Sequence, residues 1–180
     1  AATAVDTPAS ADAAAAPVLR SPAKAAAAAN NAPETCTIEI KYEFENGTQA
    51  APSWTAKVAK GSDYSATITS PAVVGYAADQ ETVEIDVKGI QKDETFYVTY
   101  KPALVDFTVK YYQQNVGDDK YMLSGTETKR GYTEDPVSKY ATGTNGFDVN
   151  YDGFTRLLYD GTATIAADGS TVVELYYDRN

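Results

Sequence analysis

Histidine is absent from this 180-residue chain, so the side chains able to do chemistry are acids, amides and tyrosines. Losing His removes the commonest general base and the commonest metal ligand. Carboxylates would have to take over both roles. Asp148, Asn150 and Asp152 alternate ahead of Gly153, like the opening of an EF-hand loop, in which oxygens converge on Ca²⁺ and glycine makes the turn. The twelfth position, where a bidentate Glu belongs, is Tyr159. A polar Asn/Asp-rich turn between strands accounts for the same residues, so neither a metal nor any other cofactor is expected. The acid pairs Asp118-Asp119 and Glu84/Asp86 suit glycoside chemistry by type. No phosphate loop, nucleophile elbow or metal cluster accompanies them, and solvated faces are the simpler reading.

The remaining reactive groups fare no better. Cys36 is the only cysteine, which rules out an intrachain disulfide and suits a secreted protein of a Gram-positive type of cell as well as a cytosolic one. A thioester between Cys36 and a Gln would need an activating setting, and a small apolar residue at a strand edge offers none. Lys41 and Lys110 lie on strands where the lysine of a Lys–Asn isopeptide bond would sit. Alternation turns them away from Ile40/Tyr42 and Val109/Tyr111, the inward-facing residues. Asn46-Gly47-Thr48 has the form of a glycosylation acceptor but reads more simply as a hairpin turn.

Tyrosine is what the chain has in quantity: fourteen, with five Phe and one Trp. Trp54, Tyr112, Tyr121 and Tyr176 fall outside the expected core. They are the candidate ligand-binding residues, because rigid amphipathic rings suit contact with a glycan or a host protein. Ordinary packing on a sheet face is the alternative for each of them.

All of these aromatics lie beyond residue 35. Residues 1–35 hold sixteen Ala and four Pro and no aromatic, too little apolar surface to offset ordering, and are expected to form a disordered Ala/Pro-rich leader or linker. Such Ala-rich sequence is of the kind that follows signal-peptide cleavage. No stretch approaches the roughly 18 apolar residues of a membrane span. Charge is −1 in residues 1–35, −4 in 36–102 and −5 in 103–180, which sums to the formal −10. No basic stripe interrupts it, so nucleic acid is not an expected partner.

From residue 36 the pattern is that of strands, and it occurs twice. In "TIEIKYEFENG" Ile38, Ile40 and Tyr42 alternate with polar residues, and 69 residues later Phe107, Val109 and Tyr111 do so in "DFTVKYYQQNVG". Gly61 and Tyr64 answer to Gly131 and Tyr132, Gly75-Tyr76 to Gly153-Phe154, and "FYVTYKPA" to "VELYYDRN" at an offset of 77. One insertion of about eight residues, within "KYATGTNGFDVNYDGF", absorbs the drift. The fold is expected to be mainly β, with two tandem domains at 36–102 and 103–180; a single sandwich is the alternative. The first core should hold Ile38, Ile40, Tyr42, Val58, Tyr64, Ile68, Tyr76, Val83, Ile85, Phe96, Val98 and Tyr100. The second should hold Phe107, Val109, Tyr111, Met122, Tyr132, Phe154, Leu157, Ile165, Val173, Leu175 and Tyr177. "EDPVSKYA" suggests one helical turn.

The stretch "FTVKYYQQN…TETKRGY…GFTRLLYDGTATIAADGSTVVELYYDRN" resembles the internalin-type B-repeats of bacterial cell-surface proteins, most specifically in its ending. "IEIKYEFENG…GSDYSATITSPAVVGY…FYVTYKPA" is similar, less closely, to the mucin-binding-protein (MucBP) repeats. The resemblance implies small β-grasp (ubiquitin-like) modules, extracellular at the cell surface or wall, monomeric and part of a longer protein. It carries no catalytic residue, and the eight-residue insertion departs from it. Two functions follow as expectations: adhesion, with glycan, mucin or a host surface protein as partner, or a structural spacer with no ligand of its own.

Overall fold

The computed structural model describes residues 32–180; the expected leader lies almost wholly outside them. Ten strands follow: β1 Thr35–Phe44, β2 Gln49–Ala59, β3 Tyr64–Thr69, β4 Tyr76–Ala78, β5 Thr82–Val87, β6 Glu94–Pro102, β7 Leu104–Gln114, β8 Tyr121–Tyr132, β9 Phe154–Arg156 and β10 Val172–Arg179. The protein is mainly β, as expected from the period-two alternation.

The strands form two four-stranded sheets of like topology, ordered β2-β1-β6-β4 and β8-β7-β10-β9. In each, the first and last long strands lie side by side in the centre and run parallel. A short antiparallel strand closes one edge, with Tyr76 opposite Pro102 in the first sheet and Phe154 opposite Arg179 in the second. The proposed match of Gly75-Tyr76 with Gly153-Phe154 is therefore visible in the register. Asn46-Gly47-Thr48 makes the β1–β2 turn, where the Phe44 amide donates to the Thr48 carbonyl (2.8 Å) and the Gly47 amide to that of Phe44 (2.9 Å).

Each sheet buries one face against a different lid. Over the first lies a two-stranded antiparallel sheet of β3 and β5, which pairs Ala66 with Ile85 and Ile68 with Val83. Cys36, Ile38, Ile40, Tyr42, Val58, Val83, Ile85, Ile90, Val98 and Tyr100 form its buried core, and the other expected residues pack against it. Over the second lies a 3₁₀ turn, Val137–Tyr140, with a loop joined by the isolated bridge between Pro136 and Thr164. The expected helical turn is this one. Val137, Ala141, Phe147 and Ile165 come down from the lid onto Phe107, Val109, Tyr111, Val173, Leu175 and Tyr177. Each Val, Leu, Ile or Phe side chain so buried contributes roughly 1.5–3 kcal/mol.

Three expected core residues of the second half are exposed: Met122 (65%), Tyr132 (46%) and Leu157 (36%). Met122 and Tyr132 both sit on the edge strand β8: Met122 lies close to the β7–β8 turn, opposite Gln113, and Tyr132, next to the buried Gly131 and opposite Leu104, alternates to the outer face. The match of Gly61 with Gly131 also fails as a turn. Gly61 bends the chain after β2, whereas Gly131 lies inside β8, where a Cβ would come within 2.3 Å of the Ile165 side chain and 2.6 Å of the Tyr140 ring.

The halves are joined by Ala103 alone, between β6 and β7. Its amide donates to the Gly75 carbonyl (3.0 Å), and its carbonyl accepts from the Thr133 amide (3.0 Å). Thr133 is buried, and its hydroxyl also donates to the Gly75 carbonyl (2.7 Å). Nearby the Tyr76 hydroxyl donates to Glu134 Oε1 at 2.6 Å. Gly75, at φ +77°, packs so closely that a Cβ would lie 2.5 Å from that of Ala167.

Candidate functional site

Alternation along the two central strands of the second sheet decides what faces outward. With Phe107, Val109 and Tyr111 buried on β7, Tyr112 points to the other face. With Val173, Leu175 and Tyr177 buried on β10, so do Glu174, Tyr176 and Asp178. The parallel register sets Tyr112 directly beside Tyr176, and their rings stack at 4.8 Å between centroids, 11° from coplanar. From β8, Tyr121 meets the Tyr176 ring edge-on at 5.2 Å. A register shift between Tyr111 and Tyr112 of β7 leaves Ser124 of β8 without a ladder partner and sets Leu123, half exposed, opposite Tyr112.

Carboxylates hold the three hydroxyls. Tyr112 and Tyr176 donate to the two oxygens of Glu174, at 3.3 and 3.1 Å, and Tyr121 donates to Asp178 Oδ1. Partial desolvation, and after it the negative charge of Glu174, raises the pKa of Tyr112 and Tyr176. For Tyr121 the hydrogen bond to Asp178 comes first and desolvation second. All three stay neutral donors at physiological pH. The result is a half-buried aromatic shelf whose polar ends are fixed, a surface that offers ring faces and edges to the C–H faces of a sugar and carboxylate oxygens to its hydroxyls.

Three of the four expected ligand-binding residues, Tyr112, Tyr121 and Tyr176, are thus brought together. Trp54 is not among them. It is half-buried on β2 and packs on the first core, its ring 6.5 Å from that of Tyr64. Tyr97 on β6, outside those four candidates, is 55% exposed and stands apart from the cluster on the other sheet.

The other candidates are already engaged. Asp148, the first oxygen of the EF-hand-like run, holds Arg156 Nε at 2.7 Å, which neutralises it. Asn150 and Asp152 are exposed, and no group of three potential metal ligands exists among the described residues. Glu84 and Asp86 accept from Thr67 and Ser65 across the β3–β5 pair, and Asp118 closes the β7–β8 turn through Asn115 and the Lys120 amide. Cys36 is buried in the first core.

No family model and no curated protein matches the chain. Among solved structures it is similar to a MucBP domain of a Lactobacillus acidophilus protein, at 22% identity over 38% of this chain and 91% of that one, with a TM-score of 0.29. It is also similar to Streptococcal High Identity Repeats in Tandem (SHIRT) domains 3-4 of a cell surface protein, at 14% identity over 81% of this chain and 99% of that one, with a TM-score of 0.25.

Proposed function

We propose that this chain is a non-catalytic extracellular repeat module of a bacterial surface protein, built of a MucBP-like repeat at 36–102 and a B-repeat-like one at 103–180, and that it acts in adhesion. The observation that carries this reading is the shelf of Tyr112, Tyr121 and Tyr176 with its hydroxyls anchored on Glu174 and Asp178. Residues packed only to cover a sheet would not need two carboxylates to orient them. A glycan, as on mucin or a host surface protein, is the partner such a shelf fits. The test is a mucin pull-down and a glycan array with the whole chain and with a Tyr112→Ala/Tyr176→Ala variant. Enrichment over a scrambled-sequence control, lost in the variant, is the expected result. No enrichment would overturn it.

The second reading, a spacer, is favoured by the joint. A single connecting residue, tied on both sides by Gly75 and Thr133 and flanked by the Tyr76–Glu134 hydrogen bond, leaves little room for bending. Stiffness and adhesion are compatible in one module. The array separates a stalk with a ligand from a stalk without one.

A further inference from the structure

A cavity away from the tyrosine shelf lies toward the opposite end of edge strand β8, and its lining differs in chemistry from the shelf. It is an open groove of about 490 Å³ between Thr128–Arg130 on β8 and the lid residues Lys139, Tyr140 and Asn145. Its volume falls in the range of sites that hold small ligands, roughly 300–1,000 Å³. Residues 103–180 contain seven Lys and Arg against twelve Asp and Glu. Three of those seven, Lys129, Arg130 and Lys139, line this one groove, and none of the described carboxylates does.

Each of these cations is paired with an acid outside that lining. Glu127 holds Lys129 at 2.8 Å, Asp106 holds Arg130 Nε at 3.2 Å and Asp135 holds Lys139 at 2.8 Å. Each bond uses part of its partner's hydrogen-bonding capacity. Arg130 keeps its terminal nitrogens, and each ammonium has three N–H groups to share. Asp135 also accepts from the Tyr140 hydroxyl (2.6 Å), and that hydroxyl accepts from the Tyr132 amide (2.8 Å), so the ring forming one wall is fixed in place. The Lys129 side chain is 22% exposed, its stem packed and its head held at the rim.

We propose that this groove binds an anionic saccharide, a sugar unit bearing a carboxylate or a sulfate. The cations and the Asn145 amide would take the anionic group and the neighbouring hydroxyls, while the Tyr140 ring supports the apolar side of the ring sugar. The chain's overall negative charge does not forbid this, because at physiological ionic strength its distant charges are screened beyond roughly 8 Å and the local donors decide. The proposal does not depend on the tyrosine shelf, which offers acceptors rather than cations.

The test is calorimetric titration of the whole chain with polygalacturonate (carboxylate only), dextran sulfate (sulfate only), and uncharged dextran. The expected result is binding of one or both charged polymers but not dextran, weakening as salt is raised from physiological concentration. Arg130→Gln and Lys139→Gln, both at exposed side chains, should each weaken it roughly tenfold, the worth of one charge-assisted contact. Tyr112→Ala/Tyr176→Ala should leave it unchanged. Equal binding of dextran, no binding of either charged polymer, or binding lost in the tyrosine variant but kept in Arg130→Gln and Lys139→Gln would each overturn the groove. The last outcome would leave the shelf standing.

Discussion

At one and the same step of the central parallel ladder, the first sheet pairs Glu43 with Thr99 and the second pairs Tyr112 with Tyr176. One step inward along the same strands, both place bulky apolar pairs, Tyr42 with Val98 and Tyr111 with Leu175, and all four residues are buried. The inner face is what holds each sheet to its lid, so its residue types are constrained by burial. The outer face carries little of that constraint, and one scaffold can show a polar Glu–Thr pair in one copy and a stacked aromatic pair in the next. The difference in surface chemistry between the halves therefore resides on a face less constrained by burial than the inner one.

The strongest way to break this comparison is to ask whether the two cores stand independently. Leu175→Ala removes a wholly buried side chain from the second core and should cost about 2–5 kcal/mol. Trp54, the only tryptophan, packs on the first core. Its fluorescence should melt near the wild-type temperature while the near-ultraviolet dichroism of the tyrosines is lost earlier. Coincident transitions would show that the halves unfold as one body.

Alkaline pH sharpens the same contrast. In the second core, burial raises Tyr177 to about 12, and burial followed by Glu127 raises Tyr111 higher still. In the first, burial raises Tyr42 and Tyr100 as well. A folded-state value above the unfolded value of about 10 means that the neutral hydroxyl is favoured by folding. That stability is complete below pH 10 and is lost as pH rises toward 12. Among the fully buried tyrosines the larger shifts are those of Tyr111 and Tyr177, so the second core should give way first: tyrosinate absorbance and lost dichroism should precede any change in Trp54 emission.

A graft tests whether the outer face is truly free. Glu43→Tyr/Thr99→Tyr should place a second stacked pair on the first sheet and change its stability by no more than about 0.5–1.5 kcal/mol, read from denaturant unfolding. A severe loss would mean that Glu43 and Thr99 matter to the first sheet in their own right. The smallest effect is expected at the joint, where Tyr76→Phe deletes the hydroxyl that donates to Glu134. Solvent screening holds the cost to about 1 kcal/mol or less. The Glu134 hydrogen bond lifts the Tyr76 pKa to about 12, with burial adding to it, so its disappearance from the titration curve would identify the bond directly.

Much of this architecture is legible in the sequence because period-two alternation reports which face is buried. All twelve expected core residues of the first half lie in its core or against it, since a lid of two paired strands alternates like the sheet beneath it. Phe147, Val137 and Ala141 escaped notice because the second lid is a 3₁₀ turn and a loop, and irregular backbone leaves no period to count. Met122 and Tyr132 differ for another reason: on an edge strand of mostly polar residues alternation has no clear phase, and Tyr132 takes the outer face beside the buried Gly131 while Met122 is exposed near the β7–β8 turn. The tyrosine shelf was half legible. Tyr112 and Tyr176 were marked as outward by their neighbours, but only the parallel register, a relation between residues 64 apart, makes them a pair, and Trp54 belongs to another sheet.

The parallel pairing of β7 with β10 has a mechanical consequence. β7 opens the second half and β10 closes it, so tension applied between residues 103 and 180 pulls these neighbours lengthwise in opposite directions. The bonds of a parallel ladder are evenly spaced along its length, and under such a pull they are strained together in shear instead of opening one after another like a zip. A surface module held from both ends would meet force with its whole central ladder at once, while the side chains on the outer face stay in place until that ladder fails.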